Sequence, residues 1–330
     1  MTDHSLQSFV EPPAEELLYT RADPDDWRLG GLVRPVALEE LPTEEWGMVI
    51  VGVPDDRGIA AAGGRPGAAQ GPDEIRRAFY KMTPGEHNQL GQSRMADVGN
   101  IRRLESVEDT LDRAELVMTW LLRTVPGRLL VLGGGHDIAY AHFSALIENT
   151  PDTRRTGIIN IDAHFDVRPV KDKITSGTPF WRLLEKNDER FRGHELVEFG
   201  IQSHMAAPAH RRYLEQRGAT IHMLRDSGPE GHLRVFKVAV DALAKRAHTI
   251  GVSFDMDAVR MSDAKGASAP SATGLSALDA IRISEAVGAD RRIRTYGIYE
   301  TSPPLDDGSA VRLAAQMCFH YALGIAKPER

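Results

Sequence analysis

A single cysteine, Cys318, serves the whole chain of 330 residues. No intrachain disulfide can form, and no thiolate metal cluster can assemble. Its neighbours, Gln316 and Met317 before it and Phe319, His320 and Tyr321 after it, read as a buried helix face with an inert thiol. A chain so poor in cysteine suits a reducing, cytoplasmic compartment. Positive charge is also short: 40 Lys and Arg stand against 47 Asp and Glu, a formal net charge of −7. That balance argues against a broad nucleic-acid surface, although a local Arg or a metal can still draw a small anion. No apolar run is long enough to cross a bilayer, so no membrane partner is expected. The opening Met1–Ser5 lacks the basic start and apolar core of a secretory signal.

What is present is alternation. Residues 1–45 are polar and carry Pro12–Pro13 and Asp23–Pro24–Asp25–Asp26, which reads as an N-terminal arm that wraps the domain or reaches a neighbouring subunit. From there short apolar runs at 47–53, 128–133, 156–162, 196–201, 219–224, 248–255 and 294–300 predict strands. Helices are predicted at 72–82, 107–124, 137–148, 179–186, 208–217, 230–246, 275–287 and 308–325. Repeated strand and helix imply a mostly parallel sheet with helices on both faces, an α/β protein. Without a long linker or repeat, residues 46–330 read as one domain. In such a sheet, ligands bind beyond the carboxyl ends of the strands.

Three of those strand ends carry candidate ligands. The strand at 128–133 stops at Gly133–Gly134–Gly135 before His136. That turn lacks the Lys-Ser/Thr of a P-loop, and a lone histidine there is more often structural than ligating. The strand at 156–162 runs into Asp162, His164 and Asp166. Side chains two apart share a face if the extended geometry continues, and two buried carboxylates so close repel unless a cation sits between them. The strand at 248–255 ends in Asp255 and Asp257. The alternative for each pair is a solvated loop with Asp capping the next helix. Together the three ends supply two imidazoles and four carboxylates. Nitrogen and oxygen donors without sulfur favour Mn2+ over Zn2+, Ni2+ or Fe2+ on ligand type, and six side chains suit two ions, a device for activating water at neutral pH.

These residues carry a resemblance. Gly133–Asp137, Asp162–Asp166 and Ser253–Asp257 resemble, in order and spacing, the three signature motifs of the ureohydrolase family of arginase, agmatinase, guanidinobutyrase and formimidoylglutamase. The resemblance covers the chain from about residue 18 onward. It implies a three-layer α/β/α, arginase-like fold, a trimeric or hexameric homo-oligomer, and a binuclear manganese centre that hydrolyses a C–N bond of a guanidine or amidine. By the same resemblance His136, Asp162, His164, Asp166, Asp255 and Asp257 are the metal ligands, with the bridging carboxylates unassigned.

Four further segments look most similar to the formimidoylglutamase branch: Tyr19–Asp26, Asp55–Ile59 with Gly63–Arg76, Thr175–Phe180, and Asp306–Ala315. In the third, Ser176 stands where arginase-like and agmatinase-like enzymes place a histidine, although Thr175–Phe180 also reads simply as a helix-entry turn. The implied substrate is N-formimidoyl-L-glutamate. Arg65 and Arg168 are candidates to hold its carboxylates, and Ser176 to touch it. Glu300 matches the glutamate that holds amidine or guanidine nitrogens, and Asp166 is the candidate to carry a proton from water to the departing nitrogen. Asp137, Ala62, Thr301 and Ser302 depart from the branch pattern but leave the six ligands intact. Rival readings are a urea-releasing ureohydrolase and a non-catalytic family member.

Overall fold

Apolar runs rich in Val, Ile and Leu form the strands, and each run is sorted by period two between two cores. Met48 and Ile50 face one core, whereas Val49, Val51 and Val53 face the other. Leu130 and Leu132 oppose Leu129 and Val131 in the same way. Burying each such side chain stabilises the fold by roughly 1.5–3 kcal/mol. The structure, a computed structural model, describes residues 6–23 and 25–327, without the side chains of 228–230.

The strands are β1 (Val10–Glu11), β2 (Arg34–Pro35), β3 (Met48–Val53), β4 (Met95–Ile101), β5 (Arg128–Gly133), β6 (Thr156–Ile161), β7 (Leu196–Ile201), β8 (Thr220–Met223), β9 (Thr249–Asp255) and β10 (Ile293–Tyr299). They make one sheet in the order β1-β4-β3-β5-β10-β9-β6-β7-β8, with β2 also on β4. Only β1 runs antiparallel to its neighbour among the described pairs. The α-helices include α1 (Arg57–Ala61), α2 (Gly71–Phe79), α3 (Val107–Thr124), α4 (Ile138–Glu148), α5 (Pro179–Glu185), α6 (Pro208–Gln216), α7 (His232–Leu243), α8 (Ala277–Ala289) and α9 (Ser309–Ala326). Helices α3 to α6 cover one face and α2, α7, α8 and α9 the other. This is the three-layer α/β/α architecture expected from the alternation. Ser106 caps α3 by accepting from the Asp109 amide, and Ser276 does the same for α8 at Asp279. Among the described residues no helix is long and apolar enough to cross a membrane.

The arm predicted at 1–45 adds β1 and β2 to the edge strand β4 and sends Leu6, Val10, Leu38 and Leu41 into one core and Leu17 and Leu29 into the other. Residues 1–5 and Pro24 of that arm, and 328–330 of the region predicted as the domain, lie outside the described residues. Strand β4 itself was not predicted, because Asp97, Gly99 and Asn100 break its apolar pattern. The structure accounts for them: Asp97 is wholly buried against Arg76, whose Nε and Nη2 donate to its two oxygens at 2.7 and 3.0 Å. Tyr80 also donates to Asp97, and Arg76 Nη1 reaches Asn100 Oδ1 at 2.6 Å.

Removing one partner of a buried ion pair strands the other charge. Arg76→Met should therefore lower unfolding free energy by about 3–5 kcal/mol, read from urea denaturation. A loss below about 1 kcal/mol would show that Asp97 finds another partner or water.

Candidate metal centre and active site

Four neighbouring parallel strands, in the order β5, β10, β9, β6, end on the same edge of the sheet. The segments leaving them carry, in turn, His136, Glu300, Asp255 with Asp257, and Asp162 with His164 and Asp166. All line or underlie one cavity, and all six predicted ligands converge there.

The convergence does not follow from strand alternation, as the sequence reasoning supposed. Strand β6 ends at Ile161. Beyond it Asp162 Oδ1 accepts from the His164 amide at 2.7 Å, closing a turn, and Asp166 takes the left-handed φ of +46°. At β9 the pattern repeats: Asp255 Oδ1 accepts from the Asp257 amide at 2.8 Å at the entry to a short 3-10 turn. Self-bonded Asp turns of this kind leave the second carboxylate oxygen free to point inward.

His136 Nδ1 lies 3.2 Å from Asp162 Oδ2, 2.9 Å from Asp166 Oδ2 and 3.1 Å from Asp255 Oδ2. It is buried among three carboxylates yet makes no hydrogen bond of proper geometry. Its other ring nitrogen, Nε2, meets Ser253 Oγ at 2.7 Å, and the ring sits 5.1 Å from Tyr299 and 5.6 Å edge-on to Phe180. With Nε2 carrying the proton toward Ser253, Nδ1 presents a lone pair to the carboxylate oxygens, the arrangement in which a second partner orients a ligating imidazole. A second group forms alongside: His164 Nδ1 is 3.4 Å from Asp162 Oδ1 and 3.0 Å from Asp257 Oδ2. Asp162 thus offers one oxygen to each group, an assignment the sequence left open.

Electrostatics describe a site short of positive charge. Burial, then repulsion from Asp162, pushes the Asp255 carboxyl up to about 6. Burial, then Asp255, raises Asp257 and Glu300 well above the usual carboxylate range. Burial would lower the His164 pKa, but Asp257 and Asp162 drive it up to about 12. Protons on these groups do the neutralising that a metal can do better. The donor set of imidazole nitrogen and carboxylate oxygen, the orphaned Nδ1 and the shared Asp162 fit two divalent ions.

The remaining predicted residues divide. Glu300 has a left-handed φ of +63°, donates its amide to Gly134 O at 2.8 Å and accepts from the His136 amide at 3.0 Å, so it is locked to the glycine turn while lining the cavity. Left-handed residues of this kind cluster where surroundings over-determine the backbone. Arg168 and Ser176 also line the cavity. A Cβ at Gly177 would come 2.8 Å from the Arg168 Cδ, so the glycine makes room for that side chain. Arg65 corrects the expectation. It does not line the cavity, because its Nε and Nη2 donate to the carbonyls of Ser268 and Ala267 at 3.1 and 2.9 Å, pinning the loop that does.

Sequence reasoning missed the residues behind the ligands. Asn160 Nδ2 donates to Glu198 Oε2 at 2.9 Å and approaches Asp162 Oδ2 at 3.4 Å. Burial, opposed by Asn160, holds the Glu198 carboxyl well above its ordinary range. On the other side Thr295 donates to Leu129 O, so His142 Nε2–H donates to Thr295 Oγ1 at 2.6 Å and Tyr299 donates to His142 Nδ1 at 2.6 Å. That chain ties α4 to β10, and so His136 to Glu300. The available signal was a polar residue inside an apolar strand, such as Asn160 between Ile159 and Ile161, which needs a buried partner.

Residues 47–324 match the model of the arginase family. The chain is 32% identical to a formimidoylglutamase of Citrobacter koseri over 281 residues, 84% of this chain and 85% of the relative. Among solved structures it is similar to formimidoylglutamase of Bacillus subtilis (25% identity, TM-score 0.84, 93% of this chain and 94% of that one). It also resembles a Trypanosoma cruzi formiminoglutamase with (Mn2+)2 (28% identity, TM-score 0.78, 86% and 95%).

Because metal must displace protons from Asp255, Asp257 and His164, Mn2+ affinity should fall as the pH drops through about 6. Isothermal titration in buffers of differing ionisation enthalpy should detect proton release on Mn2+ binding. Affinity unchanged across the acidic range, with no proton released, would contradict this electrostatic picture.

Proposed function

This chain belongs to the arginase family, and we propose on that premise that it hydrolyses N-formimidoyl-L-glutamate to L-glutamate and formamide, with two Mn2+ held by His136, Asp162, His164, Asp166, Asp255 and Asp257. The single observation that carries the reading is the joining of the paired ligand groups through Asp162 in a cavity that also presents Glu300 and Arg168. Bound there, a pair of dications lowers the pKa of water toward neutrality and polarises the substrate. The relatives named formimidoylglutamase support the choice of substrate, and the Trypanosoma cruzi structure with (Mn2+)2 supports the choice of metal.

The chain's own residues then have distinct work. Glu300, fixed by the Gly134 carbonyl and the His136 amide, faces the amidinium nitrogens and sets the carbon in place. Asp166 lies at the cavity wall with its side chain 11% exposed, where it accepts a proton from the attacking water and returns it to the departing nitrogen. The water oxygen joins the formimino carbon, the bond from that carbon to the glutamate nitrogen breaks, and the nitrogen leaves protonated. Arg168 supplies a planar donor fork for a substrate carboxylate. Ser176 donates its amide to Gly58 O at 3.0 Å, which holds its loop against α1 where it lines the cavity. The buried Cys318 thiol suits a cytoplasmic setting, and a homo-oligomer, trimeric or hexameric, belongs to this reading through family membership.

The Mn2+-loaded protein should release formamide and L-glutamate in equal amounts from N-formimidoyl-L-glutamate and no urea from agmatine or arginine, measured by chromatography. Urea release from a guanidine with no formamide from the formimidoyl substrate would overturn the assignment. Asp166→Asn, with its metal content verified, should cut kcat by about 10²–10⁴-fold, and full turnover would remove Asp166 from the proton path.

A further inference from the structure

Two polar residues stand inside the sheet directly behind the shared carboxylate. Asn160 on β6 and Glu198 on β7 are register partners, and both are wholly buried. Asn160 sits between Ile159 and Ile161, two residues before Asp162. A polar side chain in such a place is costly unless its hydrogen bonds are made. Here they are half made. The Asn160 Nδ2 amine carries two hydrogens and has two acceptors, Glu198 Oε2 at 2.9 Å and Asp162 Oδ2 at 3.4 Å. Asn160 Oδ1 and Glu198 Oε1, by contrast, have no partner among the described residues. Ser253, the register partner of Asn160 on the β9 side, turns its Oγ to His136 Nε2 instead.

A single proton on Glu198 Oε1 satisfies both orphans. A primary amide and a carboxylic acid are complementary: the amide N–H meets the acid carbonyl, and the acid O–H meets the amide carbonyl. Glu198 Oε2 already accepts from Asn160, so Oε1–H donating to Asn160 Oδ1 closes a ring of two hydrogen bonds. An ionised Glu198 offers only acceptors. It would leave both orphans as they are and add another negative charge beneath the metal-binding acids. Burial, followed by repulsion from Asp162 and Asp166 acting against the Asn160 bond, raises the Glu198 carboxyl well above its ordinary range.

We propose that Asn160 and Glu198 are positioning residues for the metal pair: Glu198, as the uncharged acid, clamps the Asn160 amide, whose remaining N–H holds Asp162 Oδ2 while the His164 amide holds Oδ1. The shared carboxylate is thus gripped at both oxygens by protein donors, which sets the orientation that serves both donor groups. The proposal rests on the two-metal reading above and deepens it, because it assigns control of metal affinity to a pair outside the six ligands.

The test compares the isosteric Glu198→Gln with the double variant Asn160→Leu/Glu198→Leu, each as the full chain. Gln keeps the ring, since its amide N–H donates to Asn160 Oδ1 where the acid proton did. The double variant replaces both partners by apolar groups of similar shape, a change a buried site tolerates, and its urea midpoint should stay close to that of wild type. Mn2+ affinity, read by equilibrium dialysis, should remain within about twofold for Glu198→Gln and fall roughly 10–100-fold for the double variant. At limiting Mn2+, electron paramagnetic resonance should show a coupled ion pair in wild type and Glu198→Gln and isolated ions in the double variant. The infrared difference between Mn2+-loaded wild type and Glu198→Gln should contain the carbonyl stretch of a protonated carboxyl. Wild-type Mn2+ affinity in a folded double variant would overturn the positioning role. A Glu198→Gln protein that loses affinity as far as the double variant, or a difference spectrum with carboxylate bands alone, would overturn the uncharged acid, and these two readings decide the proposal even where the double variant does not fold. A wild type that binds fewer than two Mn2+ per chain would refute the two-metal reading and this proposal together, whereas two tight ions in wild type and double variant alike would remove this proposal alone.

Discussion

Asp162 is buried, and its two oxygens point into two different groups of donors, one around His136 and one around His164. The rest of the site follows from that sharing. Four carboxylates within a few ångströms of each other in a low-dielectric space are tolerable only around compensating positive charge. A proton on His164 provides it in part, and the raised carboxyl pKa values of Asp255 and Asp257 relieve it further by favouring their neutral forms. Two divalent cations would lift the burial penalty and the mutual repulsion together. The two groups meet at one carboxylate, so Asp162 would help hold both ions, and a pair of dications bound there would supply water activation near neutral pH.

The sheet makes this arrangement by topology more than by local propensity. His136, Glu300, Asp255 and Asp162 leave the carboxyl ends of four adjacent strands that all run the same way, so residues more than 160 positions apart are brought together. The strands themselves are buried on both faces. The irregular pieces are confined to the last residues: Asp turns at Asp162 and Asp255, and left-handed Asp166 and Glu300. Behind them lies a layer of neutral hydrogen bonds. Ser253 fixes the His136 ring, and the Thr295–His142–Tyr299 chain ties the helix after His136 to the strand before Glu300.

Much of this was legible in the residues. The six candidate ligands stand out because Asp and His are costly at the ends of apolar strands, and the structure gathers all six. The strand-alternation argument for why Asp162, His164 and Asp166 should converge was wrong in detail, since the extended backbone stops at Ile161 and a side-chain-closed turn does the gathering. Strand β4 was hidden because its Asp97 and Asn100 answer to Arg76, a partner about twenty residues away that no local pattern reveals. Arg65 was misjudged for a related reason: its sequence shows an arginine near a glycine-rich loop but not the Ala267 and Ser268 carbonyls that occupy it. Asn160 and Glu198 were visible as polar intrusions in apolar strands, but their pairing across β6 and β7 depends on register, which only the fold supplies.

The claim on which the account stands is that this acidic pocket exists to hold two cations through one shared carboxylate. Metal content per chain, measured by plasma mass spectrometry after Mn2+ loading and gel filtration, tests it most directly when wild type is compared with Asp162→Ala. The account predicts two Mn2+ per folded wild-type chain and loss of both in the variant, because each group of donors is broken by the one substitution. Less than one metal per wild-type chain, or an Asp162→Ala protein that keeps both ions, would contradict it.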